Sequence, residues 1–140
     1  MSRSSSSKSS NASQVFVIDD DELFASCITS AIQKADSSLN VKTFKNAIDA
    51  INALDSPLPV LIFLDILLPG PDGFTFLNEL VSYPDTSRIP IVIVSSIDLP
   101  EFDLQTYGVV GILKKEKMLP KEVEAYAKRY SHPSHSSSSN

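Results

Sequence analysis

The sequence predicts an α/β fold, a doubly wound five-stranded parallel sheet of (βα)5 pattern. Three observations predict it. Five short β-branched runs alternate with segments of helical period. Two of the runs, Val60-Leu-Ile-Phe-Leu64 and Ile89-Pro-Ile-Val-Ile-Val94, are almost continuously apolar, as a strand covered on both faces requires. The 140 residues have room for one domain and no second core.

In chain order, Gln14-Val-Phe-Val-Ile18 is a first strand that runs into Asp19, Asp20 and Asp21. Leu23, Phe24, Cys27, Ile28, Ala31 and Ile32 then recur at helical spacing and predict a helix with its apolar stripe on the sheet; Cys27 reads as a small core residue. Asp21 and Glu22 suit the positive end of its dipole. Leu39–Thr43 is a weaker second strand, and Ala47, Ile48, Ile51 and Leu54 mark a second helix closed by Pro57 and Pro59. The third strand, 60–64, leads into Asp65. A loop with Pro69, Gly70, Pro71, Asp72 and Gly73 precedes a helix through Phe74, Phe76, Leu77, Leu80 and Val81. The fourth strand ends in Ser95 and Ser96; residues 97–107, interrupted by Pro100, have a poor helical period. A fifth strand, Val109 to Leu113, ends at Lys114 and Lys115, and Glu122 to Tyr130 forms a closing helix.

The ends differ from this body. Residues 1–13 hold eight serines and 131–140 six more, a composition that cannot bury enough apolar surface to offset ordering, so both are expected to be disordered tails around a domain at 14–130. The body carries ten basic against 17 acidic residues, net −7, which argues against nucleic-acid binding. One cysteine excludes an internal disulfide. No apolar run approaches the ~18–20 residues of a membrane span, and the start lacks a signal peptide's apolar stretch, so no membrane contact and a cytoplasmic location are expected.

The chemistry collects where strands end. Asp19, Asp20, Asp65, Ser95 and Lys115 fall at the carboxyl ends of the first, third, fourth and fifth strands, the edge where such sheets bind ligands. Three carboxylates at one crevice need a cation, and oxygen-only ligation points to Mg2+. A hydroxyl and an ammonium nearby suit a phosphoryl group. Each residue alone has an ordinary explanation: Asp19 to Asp21 as helix caps, Asp65 as a turn residue, Ser95 as a strand-end hydroxyl, Lys115 as a solvated charge. Five such coincidences at the right strand ends would have to hold together.

These residues resemble the receiver domains of two-component response regulators, over nearly all of 14–130. The acidic pair Asp19-Asp20, Asp65 with Pro69 four places on and Asp72-Gly73 at seven and eight, Ser95, and Lys115 seven residues beyond Gly108 match the family in order and spacing. The resemblance implies a flavodoxin-like receiver fold. It also implies that Asp65 accepts a phosphoryl group from a sensor histidine kinase or phosphotransfer protein, with Mg2+ held by Asp20, Asp65 and the Leu67 backbone carbonyl, and by Asp19 through a water. Ser95 and Lys115 would grip the phosphoryl oxygens. The chain departs from the family at Ile112, where an aromatic is usual, at Glu116, where a proline is usual, and in the short stretch 95–108.

The reading is a stand-alone receiver signalling through an unknown downstream protein and catalysing at most its own phosphorylation and dephosphorylation. The alternatives are a degenerate receiver that binds without phosphorylation and a small Mg2+-dependent phosphohydrolase; Leu67 stands where a haloacid-dehalogenase-like phosphatase would carry its acid–base aspartate. Leu67 and Ile97, two residues beyond Asp65 and Ser95, offer an attacking water no side-chain hydrogen bond.

Overall fold

In the computed structural model, which describes residues 13–55, 57–99 and 104–131, the elements are β1 (Gln14–Ile18), α1 (Glu22–Ala35), β2 (Asn40–Phe44), α2 (Ala47–Asn52), β3 (Leu61–Asp65), α3 (Gly73–Val81), β4 (Ile91–Ser95), β5 (Val109–Lys114) and α4 (Pro120–Tyr130). Single 3₁₀ turns occupy Thr86–Arg88 and Gln105–Tyr107. The five strands form one parallel sheet of order β2-β1-β3-β4-β5. The direction of winding reverses between β1 and β3, so the crevice of this fold opens beyond their carboxyl ends.

Alternation along the strands builds two cores. Phe16, Ile18, Ile62, Leu64, Ile91 and Ile93 pack with Phe76, Leu77 and Leu80 of α3 on one face. Val15, Val17, Leu61, Phe63, Val92 and Val94 meet Ala25, Ile28 and Ile32 of α1 with Val123 and Ala127 of α4 on the other. Every residue of β3 and β4 is buried, which explains their unbroken apolar sequence.

Register carries the strand ends to one edge. Val17 and Ile18 of β1 face Phe63 and Leu64 of β3, and Asp65 faces Val94 of β4. Between β4 and β5 the register shifts, Ile91 facing Val109 and Val92 facing Gly111, so that Ser95 ends opposite Lys114. An extra residue in a strand inverts the face of everything after it, so Val110 sets which lysine enters the crevice.

Two expectations about helices are corrected. Cys27 is exposed and Leu23 is 77% exposed: the inner stripe of α1 is Ala25, Ile28, Ala31 and Ile32, and the apolar residues at 23 and 27 share the solvent side. The second helix stops at Asn52, before Leu54. Between β4 and β5 the described residues hold only the turn ending at Tyr107, while 100–103 lie outside them. The framework includes Ser13, whose carbonyl accepts from Asn40 N at 2.8 Å, and buried Ser131, whose N–H donates to Ala127 O at 3.0 Å. Residues 1–12 and 132–140, the bulk of the expected tails, lie outside the described residues.

Candidate functional site

The three consecutive aspartates after β1 take three different tasks. Asp21 is the N-cap of α1, its side chain accepting from Leu23 N at 3.0 Å and Phe24 N at 3.4 Å. Asp20 is exposed. Asp19 is buried, and its Oδ1 accepts the Asp21 N–H at 2.9 Å. Helix capping therefore accounts for one carboxylate of the run.

Asp65, the last residue of β3, is equally buried, and its Oδ1 accepts the Leu67 N–H at 3.0 Å. The following loop closes tightly: Gly73 N donates to Ile66 O at 2.9 Å, and Asp72 caps α3 by accepting from Thr75 N at 3.1 Å. Gly73 is required by space, since a Cβ there would lie 2.7 Å from Ile66 Cα and 2.9 Å from the Asp65 carbonyl oxygen. Leu68 anchors the loop in the core, whereas Leu67 is 48% exposed at the mouth of the crevice.

Lys115 joins the two strand ends. Its backbone N–H donates to Ser95 O at 2.9 Å, continuing the β4–β5 pairing one step past the strands. Its ammonium lies 3.1 Å from Asp19 Oδ2 and 3.2 Å from Asp65 Oδ2, and 4.6 Å from the centroid of the Phe24 ring. Burial works against the charged lysine, but the Asp19 and Asp65 carboxylates outweigh it and hold its pKa above the usual value. The Asp19 pKa is pushed up to about 6 by burial, with the neighbouring Asp65 charge adding to the rise; the Asp21 N–H and Lys115 oppose it.

Ser95 is fully buried and turned onto its own chain, accepting the Ile97 N–H at 3.0 Å and donating to the Ile97 carbonyl at 3.1 Å. Next to it, Lys114 pairs with Asp98 at 2.7 Å and lies 3.7 Å from Glu116, so the first lysine of the pair serves the loop and not the crevice. Asp19, Asp20, Asp65 and Lys115 thus converge, while the Ser95 hydroxyl is committed elsewhere.

The donor set fits a hard divalent cation. Asp19, Asp20 and Asp65 each place a carboxylate oxygen within 4.8 Å of the others. Asp19 Oδ2 is buried and makes no hydrogen bond among the described residues, so only the Coulomb field of Lys115 compensates it. Three carboxylates against one ammonium leave the crevice net negative by two.

Two contributors escape a reading by motif. Phe24 lies in the first turn of α1, indistinguishable there from core-facing neighbours, and Asp98 is an ordinary surface acid until the fold brings it to Lys114. Neither carries a spacing signal.

Comparison with known proteins identifies the family and the fold. The family model described as "Response regulator receiver domain" matches residues 15–125. Protein-glutamate methylesterase/protein-glutamine glutaminase 2 of Oleidesulfovibrio alaskensis is 32% identical over 114 residues, covering 78% of this chain, which spans only 31% of that protein. Among solved structures, the phosphorylated cyanobacterial phytochrome response regulator RcpA superposes with a TM-score of 0.68 at 24% identity, covering 86% of this chain and 92% of that one. The Mn2+-bound form of response regulator Rcp1 gives a TM-score of 0.60 at 22% identity, covering 86% and 92%. The fold, the strand-end acids and the family match over 15–125 lead to one conclusion: the chain belongs to the response regulator receiver domain family.

Proposed function

We propose that the chain is a phosphoacceptor receiver module in which Asp65 takes a phosphoryl group from a histidine kinase or phosphotransfer protein in a Mg2+-dependent reaction, and that it signals by protein–protein interaction in the cytoplasm. The observation that carries this reading is the half-buried ammonium of Lys115 between the buried carboxylates of Asp19 and Asp65 at the ends of the two central strands. No helix of the described residues is long and apolar enough to cross a membrane.

In this mechanism an Asp65 carboxylate oxygen attacks phosphorus, forming an O–P bond as the donor's P–N bond breaks and its electron pair leaves with the imidazole. The Leu67 N–H fixes the carboxylate by holding Oδ1, which leaves Oδ2 beside Lys115. The ammonium offsets negative charge gathering on the transferred oxygens without reorganisation, because it already sits there. Asp19 and Asp20, with Asp65 and the Leu67 carbonyl, would hold Mg2+, which supplies further neutralisation of the phosphoryl charge. The Ser95 hydroxyl would donate to a phosphoryl oxygen by giving up the Ile97 carbonyl, drawing the loop after β4 inward.

A second reading, a receiver that binds its partner unphosphorylated, is favoured by the locally satisfied Ser95 and by Ile112 in place of an aromatic. Treatment with Mg2+ and acetyl phosphate followed by intact-mass measurement separates them. One added phosphoryl group, lost in Asp65→Asn, supports the phosphoacceptor; no modification supports the second reading. Multiple turnover of phosphomonoesters would instead indicate a phosphohydrolase.

A further inference from the structure

Phe24 is a half-buried aromatic that contributes to neither of the two cores. Asp21 fixes its backbone by capping the turn it belongs to. The Lys115 ammonium lies over its ring face, 4.6 Å from the centroid, while the same nitrogen reaches Asp19 and Asp65 at 3.1 and 3.2 Å. A lysine carries three N–H donors on a flexible four-carbon stem, and two carboxylates alone leave one donor free to seek water.

We infer that Phe24 is a positioning residue: its ring forms the third wall of the Lys115 site, attracting the ammonium by its negative face and denying it water, so that the charge stays directed at whatever anion Asp65 carries. This inference rests on the phosphoacceptor reading and adds to it a residue outside the metal and phosphoryl ligands. The physical cause is the ring quadrupole, which draws a cation but accepts no strong hydrogen bond. A lysine held in this way is neither tied up by a third carboxylate nor released to solvent. A leucine at 24 would keep the apolar bulk and lose the quadrupole; a tyrosine would keep both.

The test is binding of beryllofluoride, a phosphoryl mimic, with saturating Mg2+, measured by calorimetry on the full chain for wild type, Phe24→Leu and Phe24→Tyr. Phe24→Leu is expected to bind about two- to fivefold more weakly, the range a partly exposed cation–π contact supplies, and Phe24→Tyr to match wild type. Mg2+ affinity without beryllofluoride is expected to change by less than about twofold in both variants, because the ring offers the metal no ligand atom; a collapsed α1 would weaken the two together. The NMR signals of the Lys115 ε-methylene report the contact independently. They are expected at ring-shifted, upfield positions in wild type and Phe24→Tyr and at ordinary positions in Phe24→Leu. Equal beryllofluoride affinity in wild type and Phe24→Leu, or unshifted ε-methylene signals in wild type, overturns the role of the ring and leaves the phosphoacceptor reading standing. No beryllofluoride binding by wild type overturns both.

Discussion

The crevice has two halves built on opposite plans. Where β1 and β3 end, Asp19 and Asp65 are buried, each held by a backbone N–H two residues on, and their separation is set by sheet register through Ile18 and Leu64. Where β4 and β5 end, Ser95 is satisfied by its own turn, and the adjoining loop is tied down by Lys114 to an Asp98 side chain that is 94% exposed. The first half cannot move without disturbing the core; the second consists of contacts that have ready substitutes. The proposed phosphoacceptor role would use both plans, a fixed frame for the chemistry and a replaceable set of contacts for the response.

Changes in the fixed half should have the largest effects. Asp65→Asn is expected to abolish acyl phosphate formation while leaving the melting temperature close to wild type, because the amide is isosteric and no longer a nucleophile. Intact mass and thermal melting check this, and persistent labelling would mean that the phosphoacceptor lies elsewhere. Asp20→Ala is expected to weaken Mg2+ binding by roughly tenfold, the order of loss seen when a metal site loses a supporting oxygen. An NMR-monitored Mg2+ titration measures it, and an unchanged affinity would remove Asp20 from the metal site.

The same half should dominate the pH response of the metal-free protein. Asp19 titrates near pH 6 in the fold against an ordinary carboxyl value of 3.8, so the folded state binds more protons between them. Its contribution to stability is therefore present below about 3.8 and lost as pH rises through about 6. Denaturant unfolding of wild type against Asp19→Asn should show the variant gaining relative stability from pH 4 to pH 7. A constant difference would refute the assignment.

Smaller effects belong to the mouth and the replaceable half. Leu67→Asn places a group able to orient water beside the phosphoryl site, so loss of the phosphoryl group after donor removal should be several-fold faster than in wild type; equal or slower decay would reject water exclusion as its control. Asp98→Asn should leave the melting temperature unchanged, as expected of an exposed pair, while shifting the amide signals of residues 96–99. A drop in melting temperature would place this loop with the fixed half after all.

The fixed half was legible in the sequence because strand-end carboxylates follow apolar runs that cannot be anything but central strands, as Val60 to Leu64 leading into Asp65 illustrates. The replaceable half was not. Ser95 gives the same letter whether its hydroxyl faces the crevice or Ile97, and the Lys114–Asp98 pair spans 16 residues with no pattern between them. In α1, Leu23 and Cys27 stand four apart beside an inner stripe with the same period, so spacing alone could not tell the solvent side from the core side. The extra residue at Val110 that places Lys115 in the crevice leaves no trace in a run of apolar letters.

The loop that presents Leu67 contains two glycines with different obligations. Gly73 has an ordinary backbone and no room, whereas Gly70 has a φ of 73° and nothing within 4 Å of an added Cβ. At Gly73 the sequence is bound by packing, because a Cβ there meets the backbone of Asp65 and Ile66. At Gly70 it is bound only by the handedness of the amino acids available to a ribosome. A chemically ligated chain with D-alanine at 70 would meet the backbone's preference there and remove freedom from the unfolded state. The connection between β3 and α3 can thus be stiffened from its own backbone, leaving every residue of the crevice as it is.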